Sequence, residues 1–372
     1  MNIDRIVRPG VRQIQRYEPG EDHPGCIKLS SNENPRPPHP RIVEAVVAAM
    51  LTSNRYPESG CPELTRAIAK HHGLSENEIM VGHGSNEIID LLVRACAGSA
   101  ENVIFPVPSF IVYHLIAKVC GTEGIGVPCR DYRMDLPAMR RAVNDRTRAI
   151  FLCNPNNPTS TYVNDAEVRD FLRDLPDDLF VVMDEAYIDY VDAKDYPDSM
   201  QLRREHENLV ILRTFSKFFA IAGVRVGYAI AHPDVVDVLH RVRQPFNVSR
   251  LAEGAGLAAL QCYDELAPLS RETVGERERV RAEVLGLGVV CPPSQTNFLF
   301  VDLGGSELNL FAELQRRKII VRRLGQFGAT RNSYRISIGT PDENDRLIAA
   351  LRDVLGSNPA TARPVSRQGS SS

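Results

Sequence analysis

The chain has 372 residues, roughly two to three times the length of a typical domain and enough to bury large apolar cores. Its composition, 43% hydrophobic and 24% charged, excludes a collagen-like, disordered or coiled-coil protein. The 44 basic and 47 acidic residues give a net charge of −3, so no basic field attracts nucleic acid or an anionic membrane. No apolar run reaches the roughly 18–20 residues that span a bilayer, and charges occupy the N-terminus where a signal peptide is apolar. We therefore expect a soluble, cytoplasmic protein with no nucleic-acid or membrane partner.

The eight cysteines and nine histidines predict neither a disulfide framework nor a metal site. No two cysteines form a CxxC pair, and several lie within apolar runs such as LLVRAC and AIFLC. We interpret them as small buried hydrophobic side chains in a reducing compartment. The histidines show no metal-ligand spacing, so no metal is expected.

Amphipathic helices and short apolar strands alternate along the chain from Pro40 onward. Before that point the sequence carries too many Pro and Gly for regular structure. Helices are predicted at PRIVEAVVAAML, ELTRAIAKHHG and NEIIDLLVRACAG, and strands at EIMVG, NVIFPVP, AIFLCNP, LFVVMDEAY, NLVILRT and VRVGYAIA. This alternation predicts an α/β protein with buried parallel strands joined by helical crossovers.

The pattern changes after about residue 250. A long helical region is followed by strands at TNFLFVDL, KIIVRRL and SYRISIG and by a final helix at ENDRLIAALRDVLG, which favours a smaller α+β domain. The predicted organisation is an N-terminal arm and part of the small domain at 1–35, a large domain at 36–250, a small C-terminal domain at 251–356 and a disordered tail at 357–372.

Three segments carry residues suited to ligand binding, although each also has a purely structural interpretation. In GHGSNEIIDLL a Gly-x-Gly turn leads into a helix at Ser85 and Asn86, where free N–H groups suit a phosphate or simply form a helix cap. CNPNNPTS forms an extended loop at a strand end, where α/β proteins place ligands; the alternative is a Pro-rich turn. Asp184 ends a hydrophobic strand, where a buried carboxylate needs a cationic partner unless it caps the next element.

The fourth segment, RTFSKFFAIAGVRVGY, contains Lys217 in an apolar, glycine-flanked context. Lysine is scarce here, with six Lys against 38 Arg. A desolvated lysine has a lowered pKa and attacks carbonyls, whereas a surface lysine does not. Together the four segments provide an acid for a pyridinium nitrogen, a Schiff-base lysine and a phosphate cradle, a combination that indicates pyridoxal phosphate. The cradle consists of Ser85, Asn86, Thr214, Ser216 and Arg225.

NPNNPT, DEAY and RTFSK…AGVRVGY also resemble the signatures of fold-type-I, pyridoxal-phosphate-dependent aminotransferases of class I/II. The resemblance runs from Tyr17 to about Gly356. Within that class, YEPG, LSSNENP, RYPES, GHGSNE, RVRQPFNVS, QTNFLF, IIVRRL and YRISIGT are similar to the histidinol-phosphate aminotransferase branch. The resemblance implies a large domain with a mixed, mostly parallel sheet and helices on both faces, plus a smaller α+β domain.

The resemblance also implies roles for residues around the cofactor. Lys217 would carry the cofactor as a Schiff base and move a proton, and Asp184 would keep the pyridine nitrogen protonated. Asn157 and Tyr187 would hydrogen-bond the phenolic oxygen of the cofactor. Phe110 would stack on the ring.

For the substrate and the assembly, the resemblance implies a homodimer with shared active sites. Tyr56 would reach the phosphate of the other subunit's cofactor. Arg335 would pair with the substrate α-carboxylate or its equivalent anion. Tyr17, Arg322 and Asn32 would lie at the substrate's phosphate.

Three features depart from the family pattern. Ser160 stands where the family usually has Gly, which concerns the cofactor loop. Arg323 stands where Pro is common, and the stretch between YEPG and LSSNENP is short. The last two concern substrate choice.

The leading hypothesis is transamination of histidinol phosphate with 2-oxoglutarate, giving imidazole-acetol phosphate and glutamate in histidine biosynthesis. An aromatic amino-acid aminotransferase shares nearly every motif and stays an alternative. A phosphothreonine decarboxylase is a third possibility, less favoured than the other two. A regulator with a fused DNA-binding domain is discounted, because roughly 35 N-terminal residues leave no room for that domain and the charge is wrong.

Overall fold

A computed structural model of the chain describes residues 1–16, 23–325 and 328–356. Tyr17 and the tail predicted at 357–372 lie outside the described residues, so the predictions made for them stay predictions. The strands of the described part are β1 (Ile27–Lys28), β2 (Ile79–Gly82), β3 (Asn102–Val107), β4 (Glu123–Pro128), β5 (Thr147–Cys153), β6 (Phe180–Asp184), β7 (Leu209–Thr214), β8 (Gly227–Ile230), β9 (Phe298–Asp302), β10 (Ile319–Ile320), β11 (Arg322–Arg323) and β12 (Ser333–Ser337).

Thirteen α-helices lie among the described residues. They are α1 (Pro9–Arg12), α2 (Pro40–Met50), α3 (Pro62–His72), α4 (Ser85–Cys96), α5 (Val112–Cys120), α6 (Leu136–Ala142), α7 (Asp165–Arg173), α8 (Ser199–Glu205), α9 (Pro233–Val242), α10 (Arg250–Gln261), α11 (Tyr263–Gly286), α12 (Leu310–Arg316) and α13 (Pro341–Gly356). Among the described helices, none combines the length and the apolar composition needed to cross a membrane.

Seven strands form one mixed, mostly parallel sheet in the order β2-β8-β7-β6-β5-β3-β4. Neighbouring strands from β4 to β7 pair in parallel, and β8 is antiparallel to both β7 and β2. Every residue of the central strand β6 except the first is buried, because helices cover both faces of the sheet. The predicted fold class is therefore confirmed. The sequence patterns missed β4, whose two glycines and exposed edge position leave little apolar signal.

A second core lies around two smaller sheets. β9, β11 and β12 form an antiparallel sheet in the order β11-β12-β9, and β1 pairs in parallel with β10. Leu299 and Ile336 of this sheet pack in one core with Leu347 and Leu351 of α13. Because β1 precedes the large sheet in sequence, the chain contributes to the second core before it forms the large sheet and returns to that core afterwards.

The long helical region after residue 250 consists of two helices, of which only the second reaches the second core. α10 packs on α2 and α3 and shares an apolar core with β2 and β8. α11 contributes Leu266 to that same core near its N-terminus and Val280 and Val284 to the second core near its C-terminus. We therefore propose that the small domain begins within α11, rather than at the predicted boundary between residues 250 and 251.

Ser160, the residue found where the family usually has Gly, adopts a left-handed backbone conformation with φ of 63°. Its amide donates to the Asn156 carbonyl at 2.8 Å, and its own carbonyl accepts from the Gln295 amide at 2.9 Å. The side chain is buried, and its Oγ has no hydrogen-bond partner among the described residues. The loop is thus held by backbone contacts that a glycine could also make.

Ser160→Gly is expected to raise the free energy of unfolding by about 1 kcal/mol, because relief of the left-handed strain exceeds the entropy cost of glycine. Urea unfolding measures the change. Ser160→Ala is the matched control: it removes the unpartnered hydroxyl and keeps the Cβ. Equal stabilisation by Ala and Gly would assign the effect to the hydroxyl and contradict the backbone explanation.

Candidate active site

A cavity of about 210 Å³ lies where β5, β6 and β7 end, at Cys153, Asp184 and Thr214. Open α/β sheets bind ligands at this carboxyl edge. Most of the predicted site residues line it, although they come from distant parts of the chain. They are Asn32, Ser85, Asn86, Phe110, Asn157, Asp184, Tyr187, Thr214, Ser216, Lys217, Arg225, Arg322 and Arg335.

At one end of the cavity the N-terminus of α4 closely approaches β8. Gly84 caps the helix with φ of 74°. A Cβ on Gly227 would lie 2.7 Å from the Ser85 amide nitrogen and 2.9 Å from the Arg213 carbonyl oxygen, so only glycine permits this approach. The unpaired N–H groups of the first helical turn, including those of Ser85 and Asn86, are the donors that suit a phosphate.

Hydroxyls and a guanidinium complete this end of the cavity. The Ser216 amide donates to Thr214 Oγ1 at 3.1 Å, and Thr214 Oγ1 lies 3.0 Å from Ser216 Oγ. Arg225 Nη1 donates to Ser216 Oγ at 3.3 Å, and its guanidinium lies against the Gly84 turn. The cradle therefore gathers a cation, two hydroxyls and a helix N-terminus, as phosphate binding requires.

Lys217 lines the middle of the cavity. Its Nζ donates to the Ser31 carbonyl at 3.3 Å and lies 5.9 Å from the centre of the Tyr187 ring. Burial, followed by the nearby positive charges of Arg335 and Arg225, lowers the pKa of Lys217 from 10.5 to about 8. Among the described residues no carboxylate forms an ion pair with it. The amine is therefore partly neutral near physiological pH, as a nucleophile requires.

Asp184 is 2% exposed at the end of β6. Tyr113 Oη donates to Oδ2 at 2.7 Å, and the Ala186 amide donates to Oδ1 at 3.3 Å. These bonds oppose but do not cancel the effect of burial, which raises the Asp184 pKa to about 6. No cation in the described chain pairs with this carboxylate, so it suits a ligand that brings its own positive charge.

Arg335 and Asn157 both line the cavity and contact each other. Arg335 Nη1 donates to Asn157 Oδ1 at 2.6 Å, and Nη2 donates to the Ser30 carbonyl at 2.8 Å. Asn32, predicted at the substrate's phosphate, donates from Nδ2 to Tyr187 Oη at 2.9 Å. The structure therefore places Asn32 beside the tyrosine predicted to hold the cofactor's phenolic oxygen.

Arg322 lies next to Arg335 across a strand pair. The two residues are opposite each other in the antiparallel register of β11 and β12, and both line the cavity. Arg322 is 7% exposed. Two guanidinium groups therefore lie at one wall of the site.

Phe110 and Tyr56 differ in their positions. Phe110 lines the cavity and contacts Tyr113 edge-to-face, with ring centres 5.7 Å apart. Tyr56 is 78% exposed, lies outside this cavity and stacks on Phe246 at 4.7 Å. Its predicted contact with the cofactor of another subunit is not tested within one chain.

Three further residues that the motifs did not single out lie at the site. Ser30 and Ser31 provide the carbonyl oxygens that accept from Arg335 and Lys217. Tyr113 follows Phe110 by three residues, a spacing that places both side chains on one side of a helical turn. That spacing was the available signal for Tyr113. The two serines lie within the LSSNENP motif, but a motif does not single out residues that act through their backbone carbonyls.

Outside the cavity, His39, Cys262 and Glu265 form a cluster of possible metal ligands. His39 Nδ1 lies 3.4 Å from Cys262 Sγ, whereas its Nε2 lies 3.2 Å from Glu265. The two contacts use opposite ring nitrogens, which is typical of a hydrogen-bonded chain rather than of ligands around one ion.

Residues 24–351 match the family Aminotransferase class I and II. The chain belongs to this family. It is 39% identical to histidinol-phosphate aminotransferase 2 from Pseudomonas fluorescens, over 94% of this chain and 97% of that one. It is 41% identical to an aromatic amino acid aminotransferase from Mycobacteroides abscessus, over 93% of this chain and 98% of that one. Histidinol-phosphate aminotransferase from Sinorhizobium meliloti, solved with pyridoxal-5'-phosphate, superposes with a TM-score of 0.82 at 25% identity, over 94% and 98%.

The protein is thus a transaminase that uses pyridoxal phosphate, and the cavity fits that cofactor. When bound, the cofactor supplies a ring that withdraws electrons from the substrate Cα. Asp184 would meet the ring nitrogen, since it is a buried carboxylate that no cation among the described residues pairs with. Lys217 would supply the amine that binds the aldehyde and would then move a proton, and the cradle at Arg225 would hold the phosphate. The residue roles remain predictions.

Covalent attachment of the cofactor to the apoprotein is expected at Lys217, with a rate that rises with pH around a midpoint near 8 because only the neutral amine attacks. Borohydride trapping and peptide mapping identify the residue, and stopped-flow absorbance gives the pH profile. Lys28→Ala, which removes a lysine paired with Glu33, is the control and should keep the label. A label on a different lysine, or a midpoint near the usual 10.5, contradicts the assignment.

Proposed function

We propose that the protein transfers the amino group of histidinol phosphate to 2-oxoglutarate. The observation that carries the proposal is the pair of guanidinium groups of Arg322 and Arg335 at one cavity wall. A phosphate monoester needs charge-assisted donors, and an arginine fork provides two of them in a fixed geometry. Histidinol phosphate carries its phosphate one carbon from Cα, close to where an amino acid carries its carboxylate.

A smaller cavity beside the main one supports a substrate with a flat ring. Phe110, Ile111, Pro158 and Leu324 line its apolar part, and both arginines reach it. Apolar walls with a few convergent polar groups are typical of a specific ligand subsite. We expect the imidazole ring to lie against these apolar walls while the phosphate meets the guanidinium groups.

The acceptor, 2-oxoglutarate, can use the same pair of arginines. 2-Oxoglutarate has a carboxylate at each end, and each needs a cationic partner when it leaves water. Arg335 would bind the carboxylate next to the keto group, and Arg322 would bind the distal one. One pair of arginines can therefore serve both half-reactions.

An aromatic amino acid is the second candidate for the donor. The apolar walls of the smaller cavity and the 41% identity to an aromatic amino acid aminotransferase both favour it. A phenylalanine side chain needs no cation, so this hypothesis leaves Arg322 a role toward the acceptor only. The two donors can be separated by a measurement that omits the acceptor.

Arg322→Ala is expected to lower kcat/KM for histidinol phosphate about 30-fold to 1000-fold, because loss of a guanidinium from a buried anion site costs on the order of 2–4 kcal/mol. For phenylalanine the expected change is less than about threefold. Single-turnover half-reactions, monitored by cofactor absorbance without 2-oxoglutarate, isolate the donor.

Arg323→Ala is the matched control for Arg322→Ala. Arg323 is the next residue, is exposed, and lies with its guanidinium 5.6 Å from the Phe311 ring. The Arg323→Ala variant should leave the rates of both half-reactions unchanged. If the wild-type protein prefers phenylalanine and Arg322→Ala does not change the ratio of the two donors, the aromatic hypothesis replaces the proposal.

We also propose that the active unit is a homodimer in which Tyr56 serves the partner's site. Tyr56 and Phe246 form an exposed aromatic pair, 78% and 45% exposed. Near this pair in sequence, α2 and the residue after it expose four large apolar side chains: Val43, Val47, Met50 and Leu51. An exposed apolar surface of this kind marks a protein contact, and a second copy of the chain is the occupant that the family resemblance implies.

Tyr56→Ala and Lys217→Ala homodimers are each expected to lose most activity at limiting cofactor, for different reasons. When the two variants are mixed in equal amounts and their subunits reassociate, half of the dimers are hybrids that contain one complete site. Activity should therefore return to about one quarter of the wild-type value. Mixing Tyr56→Ala with an Asp184→Asn variant provides a second complementing pair. Failure of both mixtures to gain activity after subunit exchange contradicts a shared site.

A further inference from the structure

Tyr113 is a buried residue of α5 that the cofactor-binding motifs do not include. It has no exposed surface, and its Oη donates to Asp184 Oδ2 at 2.7 Å. The ring stacks on Phe151 of β5, with centres 4.7 Å apart and planes at 15°. Ring packing on one side and the carboxylate at the hydroxyl therefore fix the position of this side chain.

The hydroxyl has a clear electrostatic consequence for Asp184. A buried carboxylate is destabilised relative to its neutral form, and a donated hydrogen bond stabilises the charged form. The only other hydrogen bond to this carboxylate among the described residues is the longer one from the Ala186 amide, at 3.3 Å. Tyr113 thus supplies the better donor, while carboxylate lone pairs remain available for a further one.

Other titratable groups near Asp184 do not perform this function. They come from β5 and from the segment between β6 and α8: Cys153, Glu185, Tyr187 and Tyr196. Glu185 adds a like charge and raises the Asp184 pKa. Tyr187 Oη accepts from Asn32, and Tyr196 Oη donates to the Asn154 carbonyl. Tyr113 is therefore the side chain that favours the ionised carboxylate.

Tyr113 is also tied to Phe110, the residue predicted to stack on the cofactor ring. The Tyr113 amide donates to the Phe110 carbonyl at 3.2 Å, and the two rings meet edge-to-face. A single turn therefore connects Phe110, which is predicted to stack on the cofactor ring, to Tyr113, which donates to the Asp184 carboxylate. A shift of this turn would move both together.

We infer that Tyr113 is a positioning residue that keeps Asp184 ionised and oriented toward the ring nitrogen of the cofactor. It acts through Asp184 and does not itself need to touch the cofactor. The inference does not depend on which amino donor the enzyme prefers, so the substrate proposal can fail without affecting it.

The test compares equilibrium binding of two ligands to the apoproteins: pyridoxal phosphate and its 1-deaza analogue, in which carbon replaces the ring nitrogen. Tyr113→Phe should weaken pyridoxal phosphate about tenfold, as expected for loss of a hydrogen bond to a charged group, and should change the analogue less than about twofold. The quantity of interest is the ratio of the two affinities, since packing defects affect both ligands equally.

The pH dependence of this ratio provides a second readout. A neutral carboxyl cannot pair with the ring nitrogen, so the advantage of pyridoxal phosphate is lost as pH falls through the Asp184 pKa, about 6 in the apoprotein. Because Tyr113→Phe removes a bond that favours the ionised form, the midpoint should move to higher pH. An unchanged midpoint contradicts the inference.

Three further variants complete the design. Tyr196→Phe removes a nearby tyrosine hydroxyl that bonds to Asn154 instead and should leave the ratio unchanged. In an Asp184→Asn background, Tyr113→Phe should have no further effect on the ratio. Tyr113→His keeps a ring N–H donor and should retain more of the ratio than Tyr113→Phe. Equal weakening of both ligands by Tyr113→Phe, or the reverse order of the His and Phe variants, overturns the inference.

Discussion

The site depends on an acid and a base that lie in one cavity without pairing with each other. Burial raises the pKa of Asp184 and lowers the pKa of Lys217, so each charge is destabilised in the protein alone. An ion pair between them would remove this cost and would also occupy the two groups that the cofactor needs. The fold holds them apart, and a ligand with a ring nitrogen at one end and an aldehyde at the other gives each a partner.

Rigid strand ends keep the two groups apart. Glu185, which follows Asp184, is fully buried, and one of its oxygens accepts from both Nε and Nη2 of Arg213, at 3.0 and 2.9 Å. Arg213 in turn precedes Thr214 of the phosphate cradle. Successive residues of a strand point to opposite faces, so this ion pair lies outside the cavity and joins β6 to β7 where both strands reach it. The cofactor residues can therefore stay free of structural ion pairs.

The phosphate cradle, the CNPNNPTS loop, Asp184 and Lys217 could be predicted from local signals: glycines at a turn, Asn-Pro steps, a carboxylate at a strand end and an isolated lysine in an apolar run. The other site residues were predicted from the family resemblance. The features that escaped prediction depend on contacts between distant elements. The bond from Tyr113 to Asp184 joins α5 to β6, and the bond from Asn32 to Tyr187 crosses 155 positions. Helical periodicity gives no information on which core a helix faces, so the core that α10 shares with β2 and β8 could not be predicted, and β4 lacks an apolar run.

The proposed substrate recognition depends on strand alternation at two adjacent arginines. In β11, Arg322 pairs in register with Arg335 and faces the cavity, whereas Arg323 pairs with Tyr334 and is exposed beside Phe311. A shift of one residue in this register would exchange the two side chains and remove one guanidinium from the site. Pro is common in the family at position 323, and the departure therefore falls on the outward-facing position. It changes the surface and leaves the proposed anion-binding wall intact, so the unusual residue by itself gives no reason to reject a phosphorylated substrate.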